Sequence, residues 1–385
     1  MLKIFERFGR YATFPLGFLL SILINRRLGI EAVGEYNYWG TVISLASAVA
    51  LFGTGQSMWS LYGDRKEQDI SLIFFQFFLC SVPLISVFVV VNFIFSEISP
   101  IKALLLFFSI FLMALNAYVK NFEVLVGRLY RNYLNDLAYY AFAIFLVMAG
   151  FAVEWDILII YSGSLFFAFI LFFRDFARSL VARRWAWLIN LTAFRRSMYA
   201  LSGVFIGLAA YRAVILFAGN QFSSDQLGYF TLVYVMVDAF VTLQTSLMVA
   251  DMHAIRKGEE GAVKKSLLYQ IGIGTAGAGG LLIAGEWIVS ILYQVSTVEV
   301  RPLLVPFSVV LLMSGCYKFT QNYALAKGRD VDYMLGNVGL FMIVIVAIVV
   351  IRPGSILSLA WCYGFALTVS TMLGILRAFR VQHGS

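Results

Sequence analysis

Apolar runs of about twenty residues, each closed by a short polar stretch, recur along the whole chain. At roughly 20 residues per bilayer crossing, they predict twelve spans. Six fall in the first half, at residues 11–25, 36–61, 71–95, 102–126, 134–152 and 157–173. Six fall in the second, at 199–219, 228–250, 267–293, 303–325, 333–351 and 355–376. Between the halves lies a polar segment carrying Arg174, Arg178, Arg183, Arg184, Arg195 and Arg196. The expected architecture is an all-α polytopic membrane protein with 12 transmembrane helices. It comprises an N-terminal six-helix lobe (1–173), a basic cytoplasmic connector (174–197) and a C-terminal six-helix lobe (198–385).

Composition excludes the alternative of a soluble core. Hydrophobic residues make up 61% of the 385 positions and charged residues 13%, which is more apolar surface than a water-soluble domain of this size hides. The formal charge of +8 therefore speaks to topology and gives no reason to expect nucleic acid. With both termini cytoplasmic, the cytoplasmic segments hold 21 of the 29 basic residues. The opposite loops hold only Arg26, Arg27, Lys102, Arg301 and Arg352. Cytoplasmic loops carry the excess of Lys and Arg, so the basic connector faces the cytoplasm and each half has an even number of spans. The first apolar run ends at Arg26-Arg27 without a small-residue cleavage site and is expected to be a retained span. Cys80, Cys316 and Cys362 are scattered in apolar runs, forming neither a disulfide framework nor a metal cluster.

The two halves repeat. Residues Glu31 to Tyr36 at the mouth of the second span resemble Asp225 to Phe230 at the mouth of the eighth: an acid, a small or polar residue, an aliphatic, a glycine and an aromatic. Gly34 and Gly228 are 194 positions apart, half the chain. Because each half has six spans, both enter the membrane in the same direction, so the expected relation is a pseudo-two-fold axis along the membrane normal.

These residues resemble those of the polysaccharide-repeat flippases, the Wzx type, within the multidrug/oligosaccharidyl-lipid/polysaccharide exporter superfamily. Members typically show Arg-x-Leu-Gly, an acid and Gly-x-Tyr after the first span, matched here from Arg26 to Tyr36 with Ile30 where proline is common. Where the family often has Asp-Arg in the seventh span, this chain has Tyr211-Arg212, keeping the arginine and losing the acid. The resemblance implies translocation of an undecaprenyl-pyrophosphate-linked oligosaccharide for O-antigen, capsule or exopolysaccharide synthesis at the inner membrane. It also implies glycosyltransferase and polymerase partners.

Ionisable groups inside spans cost several kcal/mol unless they meet water or a partner, which makes Arg212, Lys120, Lys318 and Asp238 the functional candidates. Lys120 shares a helical face with Asn116 and is near Glu123, while Lys318 shares one with Gln321 and Asn322. The matching polar stripes are expected to line a substrate cavity. Arg212 and Asp238 lie about 10 and 15 Å below the outer surface at 1.5 Å per residue, close enough to pair or share a pocket. Arg212, Lys120 and Lys318 would bind pyrophosphate, and Asp238 is the candidate for coupling to a cation. Structural ion pairing and snorkelling are the competing explanations.

No cofactor is expected. Gly272 to Gly277 spells a dinucleotide fingerprint, but it follows no strand and has no acid about twenty residues on. A membrane glycan polymerase or glycosyltransferase would need acids or a histidine on an outer loop; the first outer loop offers only Glu31 and Glu35, the third has Glu154 and Asp156, and His253 and His383 are both assigned to the cytoplasmic side. A MATE-like drug antiporter is the other alternative, although cationic drugs favour carboxylates over buried cations. Pro15, Pro83 and the glycines from Gly272 to Gly280 are expected at bends or close helix contacts.

Overall fold

A computed structural model describes residues 2–51, 69–95, 98–125, 129–151, 156–181, 191–257, 261–327 and 329–382. Arg183, Arg184, Glu154 and His383, and the end of the expected second span, lie outside the described residues. Among the described residues the fold is all helical, with twelve α-helices. They are α1 (Leu2–Leu28), α2 (Ile30–Ala50), α3 (Asp69–Phe95), α4 (Pro100–Leu125), α5 (Leu129–Met148) and α6 (Leu158–Val181). They continue with α7 (Leu191–Gln221), α8 (Ser224–Lys257), α9 (Ala262–Ile288), α10 (Thr297–Ala326), α11 (Asp330–Ile351) and α12 (Ile356–Gln382). A π-helical turn, Val289–Tyr293, continues α9.

Each helix covers most of one expected apolar run, except α2, which covers its first half, most of the rest lying outside the described residues. Several helices extend well beyond their run, as α7 and α8 do, because a helix satisfies its own backbone and need not stop where the hydrocarbon stops. By length and composition, five stretches among the described residues can cross a membrane: Pro100–Asn121, Ala262–Tyr293, Thr297–Ala324, Val331–Ile351 and Ile356–Arg377. The chain is a multi-pass membrane protein. Its outward side chains agree: Ile283 is 87% and Val350 73% exposed, an arrangement favourable against lipid and costly against water.

The chain divides into two compact units, residues 1–23 with 38–205 and residues 24–37 with 206–385. The segment 24–37, the α1–α2 corner, thus packs with the second unit rather than with the rest of residues 1–173.

Its attachments explain why. Arg26 donates from Nε to the carbonyl of Leu292 at 2.9 Å and from Nη2 to that of Ile291 at 3.0 Å. Asn25 donates to the carbonyl of Tyr293. A helix end leaves its last carbonyls without intrahelical donors, and here the helix stops at Gln294, which has a left-handed φ of 56°. The side chains of α1 supply the missing donors, and the arginine charge complements the negative helix end. Arg26 and Asn25 therefore close the π turn.

The second attachment is the repeat itself. The first turns of α2 and α8 meet backbone to backbone. A Cβ on Gly34 would come within 2.7 Å of the Gly228 nitrogen and 2.8 Å of the Ser224 carbonyl oxygen, and one on Gly228 would strike the Ile30 carbonyl. The two repeated glycines are contact points for each other, which is why neither position carries a side chain.

In this second unit α10 is the central helix, 72% of its apolar window being buried against 28% for α9 and α11, with α8, α9, α11 and α12 packed around it. Gly274 and Gly277 let α9 approach α8 and α10, touching Gln244, Phe240 and Leu311, whereas Gly272, Gly279 and Gly280 face open space. Only part of the glycine run therefore serves close packing.

In the first unit α4, α5 and α6 pack together. Asp156 caps α6 by accepting from the Leu158 amide at 2.9 Å and pairs with Lys102 at 3.0 Å. That carboxylate is engaged structurally, which weakens its candidacy as an outer-loop catalyst.

Candidate functional site

The two expected polar stripes have different surroundings. On α4, Asn116 is buried and donates to the carbonyls of Leu112 and Leu165, both at 3.0 Å. Its Oδ1 accepts from Asn135 of α5 at 3.1 Å, and Asn135 also donates to the Ala168 carbonyl of α6. Lys120 pairs with Asp136 of α5. Arg131 meets buried Glu123 at 3.3 Å. This ladder joins three helices of the first unit, and within it the Lys120 ammonium meets Asp136 while both polar atoms of the Asn116 amide have protein partners.

If that ladder is structural, Lys120→Met should lower the melting temperature of the solubilised protein by no more than a degree or two, because its contact with Asp136 is part-exposed and such pairs contribute little. The double variant Lys120→Met with Asp136→Leu should match the wild type within that margin. Wild-type stability with export unchanged excludes Lys120 from cargo binding, whereas wild-type stability without export restores it.

The other candidates converge in the second unit. Tyr211 and Arg212 are adjacent on α7, Tyr234 and Asp238 lie one turn apart on α8, and Tyr317 and Lys318 are adjacent on α10. The Lys318 ammonium sits 4.2 Å from the centre of the Tyr211 ring, and the Arg212 guanidinium lies 5.8 Å from that of Tyr234. The Tyr211 and Tyr317 rings meet edge-on at 6.0 Å, and Tyr234 stands 6.3 Å from Tyr363 of α12. Hydrogen bonds fix the rings: Tyr234 donates to the Tyr211 carbonyl at 3.1 Å, and Tyr317 to Asn337 of α11 at 3.2 Å. Exposed Asp238 is within electrostatic reach of Lys318 and of Tyr211, Tyr234 and Tyr363. The result is two cations and one carboxylate on a buried tyrosine frame.

Aromatic faces hold cations without cancelling their charge. A desolvated cation–π contact contributes up to about 2 kcal/mol. Sequence inspection finds Arg212, Lys318 and Asp238 but misses Tyr211, Tyr234, Tyr317, Tyr363 and Asn337 as their frame. The signal was the repeated dipeptide, an aromatic followed by a cation at Tyr211-Arg212 and Tyr317-Lys318. Gln321 and Asn322 go elsewhere. Asn322 donates to the Met248 sulfur at 3.3 Å, and Gln321 packs over Gly336 of α11. Among the described residues no three His, Cys, Asp or Glu side chains form a metal-binding group.

No family and no curated protein matches this chain by sequence. Solved structures do match its fold. The lipid II flippase MurJ, in an inward closed conformation, superposes with a TM-score of 0.71 at 13% identity, over 97% of this chain and 87% of that one. An inward-facing multidrug resistance MATE family transporter of the MOP superfamily gives 0.70 at 12% identity, over 98% and 99%. A MOP superfamily transporter from Pyrococcus furiosus, described as having a binding pocket of reversed polarity, gives 0.59 at 14% identity, over 98% and 94%. The chain has the fold of these membrane transporters and flippases, and none of the three is described as an enzyme.

Proposed function

We propose that the chain is a superfamily flippase of the Wzx type. It moves an undecaprenyl-pyrophosphate-linked oligosaccharide repeat unit across the cytoplasmic membrane by alternating access, for surface polysaccharide synthesis. It does so as twelve spans in two six-span repeats, with both termini cytoplasmic. The observation that carries this reading is the placement of Arg212 and Lys318 on tyrosine faces in one cluster. A guanidinium fork and an ammonium point charge suit the oxygens of a pyrophosphate. A lipid II flippase among the proteins sharing the fold supports a lipid-linked cargo. Arg212 and Lys318 grip the pyrophosphate, Tyr211 and Tyr234 orient them, and Asp238 is the group through which a cation couples. Lys120 and Asn116 brace the first unit. Glycosyltransferases supply the cargo and a polymerase consumes it.

The drug-antiporter reading rests on Asp238, the one exposed carboxylate in the cluster, and on the MATE fold match. Deleting the gene separates the alternatives. A flippase leaves complete lipid-linked units accumulated on the cytoplasmic face. An unchanged lipid-linked pool with greater retention of a cationic dye would replace this reading with antiport, and single units already outside would point to a polymerase.

A further inference from the structure

The second unit contains a separate cleft between the ends of α10 and α12 and the first half of α11, enclosing about 590 Å³ of space with its open mouth included. Arg329 and Arg377 stand at the mouth, and Gln321, Thr320 and Ser370 form the floor. Glycines make the space. Gln321 lies where a side chain on Gly336 would go, and a Cβ on Gly374 would come within 2.7 Å of the Thr320 hydroxyl. Gly339 opens onto the cleft, with nothing within 4 Å of an added Cβ.

Two observations point to a ligand. Gln321 and Ser370 are each only 7% exposed, yet among the described residues the Gln321 Oε1 and the Ser370 hydroxyl have no hydrogen-bond partner. A buried polar atom without a partner costs about as much as a lost hydrogen bond, so an occupant carrying oxygens and hydroxyls is favoured. At the mouth, the Arg329 cap of α11 makes no side-chain capping bond. Arg329 pairs with Asp332 at 2.5 Å in a half-exposed contact three residues apart, and such pairs are weak. With Arg377 exposed opposite, the described lining residues carry two arginines against the single carboxylate of Asp332, beside a helix N-terminus, a setting that favours phosphate.

Polarity falls with depth. Ser370 lies seven residues before Arg377 on α12, roughly 10 Å deeper at 1.5 Å per residue. Beyond it Ile343 belongs both to this cleft and to a second, apolar groove formed by Met342, Val346, Val350 and Phe365. Cations first, then hydrogen-bonding groups, then a hydrocarbon track is the order of groups along a phospholipid.

We propose that this cleft is a specific site for an anionic glycerophospholipid. Its phosphate lies at Arg329 and Arg377, a headgroup hydroxyl donates to the Gln321 Oε1, an ester oxygen accepts from the Ser370 hydroxyl, and an acyl chain runs past Ile343. The site is independent of the transported cargo.

Native mass spectrometry of the full chain tests this with dioleoyl phosphatidylglycerol against dioleoyl phosphatidylcholine. The wild type should retain phosphatidylglycerol at least tenfold better. Arg329→Gln with Arg377→Gln should reduce that preference to below threefold, and Gly339→Leu should lower retention of phosphatidylglycerol about tenfold by filling the cleft. Melting temperatures measured without added lipid confirm that both variants are folded. Equal retention of the two lipids by the wild type, or an unchanged preference in both variants, overturns the proposal. Inorganic phosphate or a polyprenyl phosphate displacing phosphatidylglycerol at equal concentration overturns the assignment of a glycerophospholipid.

Discussion

Gly228→Val should leave almost no folded protein in the membrane, the largest structural effect expected of any single substitution here. The new side chain has no direction in which to relax, because its Cβ falls on the carbonyl of Ile30 and the obstacle is backbone. Overpacking a core usually costs about 1–3 kcal/mol, but that range assumes side chains can repack. Separating α2 from α8 would also pull on the α1–α2 corner, whose Arg26 and Asn25 donate to the carbonyls of Ile291, Leu292 and Tyr293. Such a loss belongs with the exceptional effects above about 4–5 kcal/mol. Gly34→Val should behave alike, since its Cβ meets the Gly228 nitrogen and the Ser224 carbonyl oxygen. Gly280→Ala, at an open position, should be neutral or slightly stabilising. Fluorescence-detected size-exclusion chromatography of tagged variants checks all three. A monodisperse Gly228→Val peak at wild-type height would show that α2 and α8 do not need this approach.

The same glycines show what was legible in the sequence. Repetition of Gly34 and Gly228 and the alternation of apolar runs mark the helices, because both are one-dimensional signals. The contact of one glycine with the other is a tertiary fact that spacing cannot reveal. The polar stripes on α4 and α10 illustrate the limit from the other side. Both read as a lysine among carboxamides at helical spacing, yet Lys120 meets a carboxylate on α5 while Lys318 meets an aromatic ring on α7. Asp136 lies near the start of the fifth apolar run, and nothing in the spacing of α4 points across to it. Partner identity, which decides whether a buried cation is cancelled or kept, resides on a different helix from the cation. The segment 24–37 makes the same point, since its place with the second unit goes with capping bonds to residues 291–293 and the close approach of Gly34 to Gly228, which hydrophobic length does not reveal.

Arg212→Gln should abolish most export while leaving the protein folded. The guanidinium rests against the Tyr234 ring, and glutamine keeps much of the length while removing the charge and the fork. Each charge-assisted bond to a phosphate is worth roughly 1.5–3 kcal/mol, so losing the arginine predicts a decrease of about 10- to 100-fold at 1.4 kcal/mol per factor of ten. Lys318→Gln should give a similar decrease, and the double variant should be inactive. Arg212→Lys should fall between, because an ammonium restores charge without bidentate geometry. The tyrosines separate binding from scaffolding. Tyr234→Phe keeps the aromatic face and loses the hydroxyl's bonds to the Tyr211 carbonyl and with Tyr363, so export should change little. Tyr234→Leu removes the face and should approach the Arg212→Gln defect. Export is read as surface polysaccharide in a deletion strain carrying each variant, normalised to protein level and melting temperature. Wild-type export by Arg212→Gln, at wild-type protein level, would remove the cation cluster from the transport mechanism.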